Sequence, residues 1–235
     1  MLFRFKQFVI KQEAAAMKVG TDGVLLGAWT PLYAPSRILD VGAGTGLLSL
    51  MLAQRTTNAT IEAIEIDEAA YNECCENLQN SPWAERLKAY HTSFQEFLSV
   101  GKLYDLIISN PPFYTANYKA PAAARHIARS AEALPFDILL GGVSRLLAST
   151  GYFSVIIPYA EEESFIHLAA QYALYPVQGL RTQGTPDAPL KRSLLLFSNT
   201  RTITPFVPQT LTIEMTRHNY TLAYKTLTKE FYLNF

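Results

Sequence analysis

Cysteine is nearly missing from this chain. Two occur in 235 residues, Cys74 and Cys75, side by side in a stretch patterned as helix. Neighbours on a helix point in different directions and no third cysteine can pair with either, so a disulfide framework is excluded. A metal site built on cysteine ligands is excluded with it, and no metal is expected. Such usage fits a reducing compartment, and the expected location is the cytoplasm. Net charge is missing too, since twenty Lys and Arg offset twenty Asp and Glu. A chain that grips polyphosphate non-specifically shows a basic excess, so any nucleic-acid partner must be recognised through local patches. Long apolar runs are also lacking. Residues 138–147 are cut by Gly141, Gly142 and Arg145, too short a stretch to span a bilayer. Residues 1–11 alternate, with Arg4, Lys6 and Lys11, and do not have the form of a signal peptide. No membrane partner is expected.

What the chain does have is material for a core: 49% hydrophobic residues against 17% charged, a balance opposed to disorder. Residues 3–10 read as a short strand pair. Thr21-Asp22-Gly23 ahead of an apolar run reads as a helix start capped by Thr21 or Asp22. Strand and helix patterns then alternate. Strands are expected at residues 37–41, 60–66, 87–91, 104–109 and 152–157, and helices at 47–53, 68–79, 94–98, 136–147 and 161–174. This alternation predicts an α/β fold, a mostly parallel sheet with helices on both faces. Runs at 177–182, 193–198 and 210–215 lack long helices between them, and antiparallel pairing is the simpler expectation there. No repeat, low-complexity tract or linker divides residues 1–235, so a single domain is expected.

The first chemical signal is Leu39-Asp40-Val41-Gly42-Ala43-Gly44-Thr45-Gly46, which follows a strand and opens a helix. Glycines in that position let backbone N–H groups approach a ligand at the helix N-terminus. Glu65 closes the next strand, about 20 residues on, where an acid is placed to accept the ribose hydroxyls of an adenosine. A tight turn whose glycines serve packing alone is the bland alternative. A dinucleotide site requires G-x-G-x-x-G, but Leu47 stands where the third glycine would be. Asp40 suits an amine-bearing or cationic ligand better than a pyrophosphate, which favours a sulfonium cofactor with an amino-acid tail. Asp67 reads as a helix cap. Ser93 and Phe94, at the end of the third strand of the alternation, stand where an adenine ring would lie, with helix cap and core aromatic as their plain alternative.

The sharper signal is Asn110-Pro111-Pro112-Phe113 at the end of the strand over 104–109. Two prolines fix two φ angles and remove two N–H donors. An acceptor-rich corner remains, made of the Asn110 side-chain oxygen and the Pro111 carbonyl. A conjugated amine that receives a methyl group turns from planar to tetrahedral, and acceptors held at tetrahedral positions favour that transition state over the ground state. Phe113 and Tyr114 offer π faces for an unpaired or flipped base. The methylated amine is acidic enough to lose its proton late, so alignment carries most of the work.

These motifs resemble the class I methyltransferases of the amino-methylating branch, whose signature is [D/N/S]-P-P-[Y/F/W], over roughly residues 37–174. The resemblance implies a Rossmann-like seven-stranded mixed sheet with its last strand antiparallel. It also implies S-adenosyl-L-methionine held at Asp40, Gly42, Gly44, Gly46 and Glu65, and catalysis at Asn110 with Pro111, Pro112 and Phe113. Residues 3–8 together with Met17-Lys18-Val19-Gly20-Thr21-Asp22-Gly23-Val24-Leu25-Leu26-Gly27-Ala28-Trp29 are similar to bacterial valine-tRNA (adenine-N6) methyltransferases, which modify the adenosine 3′ of the anticodon. That likeness implies an extension, residues 1–30, covering the cofactor of a core at 31–235, with Lys18, Thr21 and Asp22 near the methyl donor. It also implies a tRNA partner, with no obligate protein partner. A basic rim is expected from Arg4, Lys6, Lys11 and Lys18, from Lys119, Arg125 and Arg129, and from Arg181, Lys191 and Arg192, although charges of this kind are more often solvated faces. The same chemistry could serve ribosomal RNA, DNA or a protein glutamine. A glutamine enzyme would usually carry an extra helical domain and a DNA enzyme a target-recognition region, and this length leaves little room for either.

Overall fold

The computed structural model describes residues 1–15, 17–112, 134–201 and 203–235. One eight-stranded sheet organises them. Strands β3 (Arg37–Val41), β4 (Thr60–Glu65), β5 (Leu87–His91), β6 (Tyr104–Ser109) and β7 (Leu147–Pro158) are parallel to one another. Strand β9 (Leu190–Ser198) runs antiparallel between β7 and β8 (Tyr175–Gln183), and β10 (Gln209–Thr212) closes the edge, giving the order β10-β8-β9-β7-β6-β3-β4-β5. Seven of these strands form the expected sheet with its last member antiparallel.

The eighth is a difference. Strand β10 pairs with β8 in parallel, Gln209 opposite Leu180, where antiparallel pairing was expected. Residues 199–208 are long enough to carry the chain across β8 to its far edge. The crossing runs tight against Gly179, where a Cβ would come within 2.7 Å of the Phe206 ring. The run then breaks at Ile213 into a two-stranded ribbon, β11 (Glu214–Thr216) with β12 (Asn219–Tyr220).

Both faces of the sheet are covered, and the buried strands show it by alternation. Ile38, Leu106 and Ile108 pack on one side with Leu25 and Leu26 of helix α1 (Thr21–Trp29), Leu48 and Leu52 of α2 (Leu47–Arg55) and Tyr224 of the closing helix, residues 222–228. Leu39, Val41 and Ile107 face the other side, against Leu139, Leu140 and Val143 of residues 136–146 and Phe165 of residues 162–171. Between them in chain order come α3 (Glu68–Gln79), with Asp67 accepting the Ala70 N–H at 2.7 Å as its cap, and α4 (Phe94–Phe97). Among the described residues, two further long helices are α5 (Phe136–Leu146) and α6 (Glu162–Gln171), and α7 (Leu222–Thr228) is the last.

The expected N-terminal strand pair is present as β1 (Leu2–Arg4) and β2 (Val9–Lys11). Phe5, Phe8 and Ile10 join Leu50, Met51, Cys74, Leu78 and Phe231 in a third apolar cluster, which binds the hairpin to α2, α3 and the C-terminal residues. Helix α1 corrects one local expectation. Its N-cap is Gly20, without a side-chain cap, and Thr21 and Asp22 are its first helical residues. Its glycines serve close packing on α2: a Cβ at Gly23 would sit 2.9 Å from Leu47 Cδ2, and one at Gly27 would sit 2.6 Å from Met51 Sδ. No described helix is long and apolar enough to cross a membrane.

Candidate functional site

The glycine turn leaves β3 in the left-handed region, with φ of +71° at Gly42, +56° at Gly44 and +81° at Gly46. Side chains strain there, so the sequence spends glycines. The three differ in surroundings. Nothing lies within 4 Å of a Cβ built on Gly42 or Gly44, whereas one on Gly46 would stand 3.0 Å from Cys74 Sγ and 3.2 Å from Leu78. Gly46 serves close packing of the α2 N-terminus on α3, and Gly42 and Gly44 leave open space above the strand end.

Glu65 holds this turn in shape. Its Oε2 accepts the Gly44 N–H at 2.7 Å, and its Oε1 accepts those of Ile66 and Asp67 at 2.9 Å each. A carboxylate offers about four lone-pair positions, so ribose hydroxyls at Glu65 would share its oxygens with backbone donors.

Asp40 is fully buried. Its Oδ2 accepts the Ser49 N–H at 3.0 Å and the Ser49 hydroxyl at 2.7 Å, while its Oδ1 has no partner among the described residues. Burial pushes its pKa up to about 7, against the Ser49 hydrogen bonds and with a smaller push from the Glu65 charge. A cation brought to this carboxyl would meet an acceptor with spare capacity.

Asn110 stands just past the end of β6, beside β3. Its Oδ1 is likewise buried and unpartnered among the described residues, and its Nδ2 lies 3.9 Å from Met17 Sδ. A Cβ on Gly23 would be 3.8 Å from that same Nδ2, so α1 walls one side of the amide. Pro111 is buried and Pro112 exposed. Phe113, Tyr114, Lys119, Arg125 and Arg129 lie outside the described residues.

The remaining expected residues divide. Lys18 and Thr21 are exposed, Lys18 next in the chain to Met17, which contacts Asn110, and Thr21 on the first turn of α1. Asp22 is ion-paired with Arg192 Nε of β9 at 2.7 Å. Ser93 caps α4 in a reciprocal capping box with Glu96, and Phe94 is buried in the core, so both show the local roles that their residue types allow. Several cations of the expected rim are also committed: Arg181 to Glu162 at 2.6 Å, Lys11 to Glu76 at 2.7 Å, and Lys6 to the Phe235 carbonyl at 2.8 Å.

Sequence reasoning missed the residues that carry the loop at 12–15 and 17–20. Glu73, 4% exposed, accepts the N–H groups of Glu13, Ala14 and Ala15 at 2.5, 3.2 and 3.0 Å. Asn77 exchanges hydrogen bonds with the Lys11 backbone at 2.8 and 2.9 Å and donates to the Thr45 carbonyl in the glycine turn at 2.9 Å. The Gln12 side-chain oxygen accepts the Val19 N–H at 2.7 Å. A signal existed. Ala70, Glu73, Cys74, Asn77 and Leu78 form the buried stripe of α3 at helical spacing, and two members of that stripe are polar.

Comparison with known proteins bears on this arrangement. Residues 20–137 match the methyltransferase small domain family. A Flavobacterium psychrophilum protein described as tRNA1(Val) (adenine(37)-N6)-methyltransferase is 51% identical over 234 residues, covering 99% of this chain and 99% of its own. A Bacteroides thetaiotaomicron protein of the same description is 41% identical over 99% of this chain and 97% of its own. Among solved structures, an Agrobacterium tumefaciens protein described as a predicted O-methyltransferase superposes with a TM-score of 0.68 at 18% identity, over 89% of this chain and 96% of that one. The ribosomal protein L11 methylase of Lactobacillus delbrueckii subsp. bulgaricus superposes at 0.54 and 17% identity, over 76% and 77%. At such identities these two structures speak for the fold alone.

Proposed function

The chain belongs to the methyltransferase small domain family, among the tRNA1(Val) (adenine(37)-N6)-methyltransferases, and from that premise we propose that it methylates the exocyclic N6 amine of adenosine 37 in a valine tRNA. The methyl donor is S-adenosyl-L-methionine, which when bound supplies an electrophilic methyl group. The observation that carries this reading is a pair of buried oxygens without partners among the described residues, Asp40 Oδ1 and Asn110 Oδ1, at the C-terminal ends of neighbouring parallel strands. Buried acceptors left unpaired cost about 1–3 kcal/mol each, and ligand donors would relieve both.

The residues present fit the cofactor. Gly42 and Gly44 leave open space, Asp40 offers an acceptor to an ammonium, and Glu65 offers oxygens to a ribose. Lys18, Thr21 and Asp22 lie in the segment between Met17 and Gly23, the two residues that border Asn110, and would stand near the methyl donor. Gly46 acts by packing, and Ser93 and Phe94 shape the wall at the end of β5. Asn110 Oδ1 and the Pro111 carbonyl accept the hydrogens of the target amine, and they favour its pyramidal form over the planar one. The paired prolines keep competing N–H donors away from that corner. Phe113 and Tyr114 supply aromatic faces to the base, and Lys119, Arg125 and Arg129 supply charge to its phosphates. A tRNA substrate puts this work in the cytoplasm.

The test is methylation of unmodified tRNA by the purified chain with labelled cofactor, followed by nucleoside analysis. Labelled N6-methyladenosine confined to a valine tRNA is expected. Label found only in DNA, ribosomal RNA or protein would overturn the assignment.

A further inference from the structure

We propose that Glu73, with Asn77 as its partner one turn away, is a positioning residue for the reaction: it fastens the loop whose described residues are 12–15 and 17–20 across the cofactor site and so sets cofactor affinity. This rests on the reading of the site as a cofactor cradle. The loop starts where β2 ends and finishes at Gly20, the N-cap of α1. At its near end Glu73 receives three successive backbone N–H groups, and Gln12, also at that end, accepts the N–H of Val19 from the far end. At its far end Met17 reaches Asn110. Asn77 ties the strand before the loop to the Thr45 carbonyl of the glycine turn, so turn and loop share one anchor on α3.

The chemistry suits a latch. A buried carboxylate that loses its donors costs more than a neutral acceptor does, so Glu73 holds the three amides in one arrangement and resists their release. Met17 is then held beside Asn110, and the residues after it enter α1 in one arrangement. Without Glu73 the same residues would be ordered only at the moment of binding, and the ordering entropy would be subtracted from affinity. Lys11–Glu76 is a natural control. It joins the same helix to the same hairpin, but through an exposed ion pair whose Nζ hydrogen bonds go to Glu76 and to no loop residue.

The experiment measures two quantities on the full chain. One is the hydrogen exchange of the amides of residues 13, 14, 15 and 19. The other is the dissociation constant of S-adenosyl-L-methionine by titration calorimetry, with KM for tRNA as a companion. Glu73→Ala is expected to speed exchange at residues 13–15 at least ~10-fold and to weaken the cofactor roughly 10-fold, with the KM for tRNA within about twofold. Glu73→Gln keeps an acceptor and should recover part of both losses, and it replaces the alanine variant as the deciding protein if that variant does not fold. Glu76→Gln should change neither quantity. Unchanged cofactor affinity in folded Glu73→Ala (in Glu73→Gln if the alanine variant does not fold), or an equal loss in Glu76→Gln, overturns the proposal. Failure of the unaltered chain to methylate tRNA would instead count against the substrate assignment, because cofactor affinity and exchange are read without tRNA.

Discussion

Two glutamates in this molecule do the same geometric work in different settings. Glu65 gathers the N–H groups of Gly44, Ile66 and Asp67, and Glu73 gathers those of Glu13, Ala14 and Ala15. The first organises a glycine turn that stays open above the strands. The second is 4% exposed and fastens a loop without glycine at the gathered positions. A shared carboxylate device thus shapes an open turn in one place and fastens a loop in the other. What separates them is the free space beside the acceptor: Gly42 and Gly44 would leave even an added Cβ without neighbours.

The largest effect belongs at Asn110, which the loop reaches through Met17. Asn110→Ala should lower the single-turnover rate about 10²–10³-fold, the scale for removing one preorganised transition-state partner, with cofactor affinity within about threefold. Glu65→Ala should weaken the cofactor more than Glu73→Ala does, roughly 30–100-fold against roughly 10-fold, since it loses both ligand contacts and the shape of the turn. The reverse ranking in calorimetry would dissolve the contrast between the two glutamates.

Acidity sharpens the comparison further. Asp40 has a folded-state pKa of about 7, above its ordinary value. The folded chain therefore holds this proton more tightly than the unfolded one does. The stability linked to it is full below about pH 4 and is lost as pH rises toward 7, by up to about 4 kcal/mol. Asp40→Asn should escape that loss, so its melting temperature should gain on the unaltered chain from pH 4 to 7 and hold the gain above. Cofactor affinity of the unaltered chain should move oppositely, rising over the approach to pH 7 as the carboxylate ionises, and Asp40→Asn should flatten that rise. A flat difference in melting temperature across the range would count against a buried, proton-holding Asp40.

The smallest effects come from the turn itself. Gly44→Ala should cost about 1–2 kcal/mol of stability through left-handed strain alone. Gly46→Ala, strained and also crowded by Cys74 and Leu78, should cost more. Equal costs in denaturant titrations would mean that α3 yields to the added methyl.

What could be read in the sequence follows the same division. The alternation of strands and helices, the spacing from Gly46 to Glu65 and the Asn110 corner were legible, because each is a local pattern whose physics acts within one strand–turn–helix unit. The parallel entry of β10 was not, since its direction depends on how residues 199–208 cross β8 at Gly179. The role of Glu73 was hidden for a similar reason. Its partners lie about 60 residues earlier in the chain, and a glutamate on a helix ordinarily marks the solvent side, although its place in the buried stripe of α3 contradicted that. The commitment of Arg181, Arg192 and Lys11 to carboxylates was equally invisible, as charge counts carry no pairing.

The central claim is that an acceptor oxygen at position 110 turns over the amine. Single-turnover methylation of tRNA by Asn110→Asp beside Asn110→Ala, each at saturating cofactor, tests it most directly. The aspartate keeps an acceptor and should stay within roughly 10-fold of the unaltered chain, while the alanine falls about 10²–10³-fold. An aspartate variant as slow as the alanine one, or an alanine variant as fast as the unaltered chain, would contradict the account.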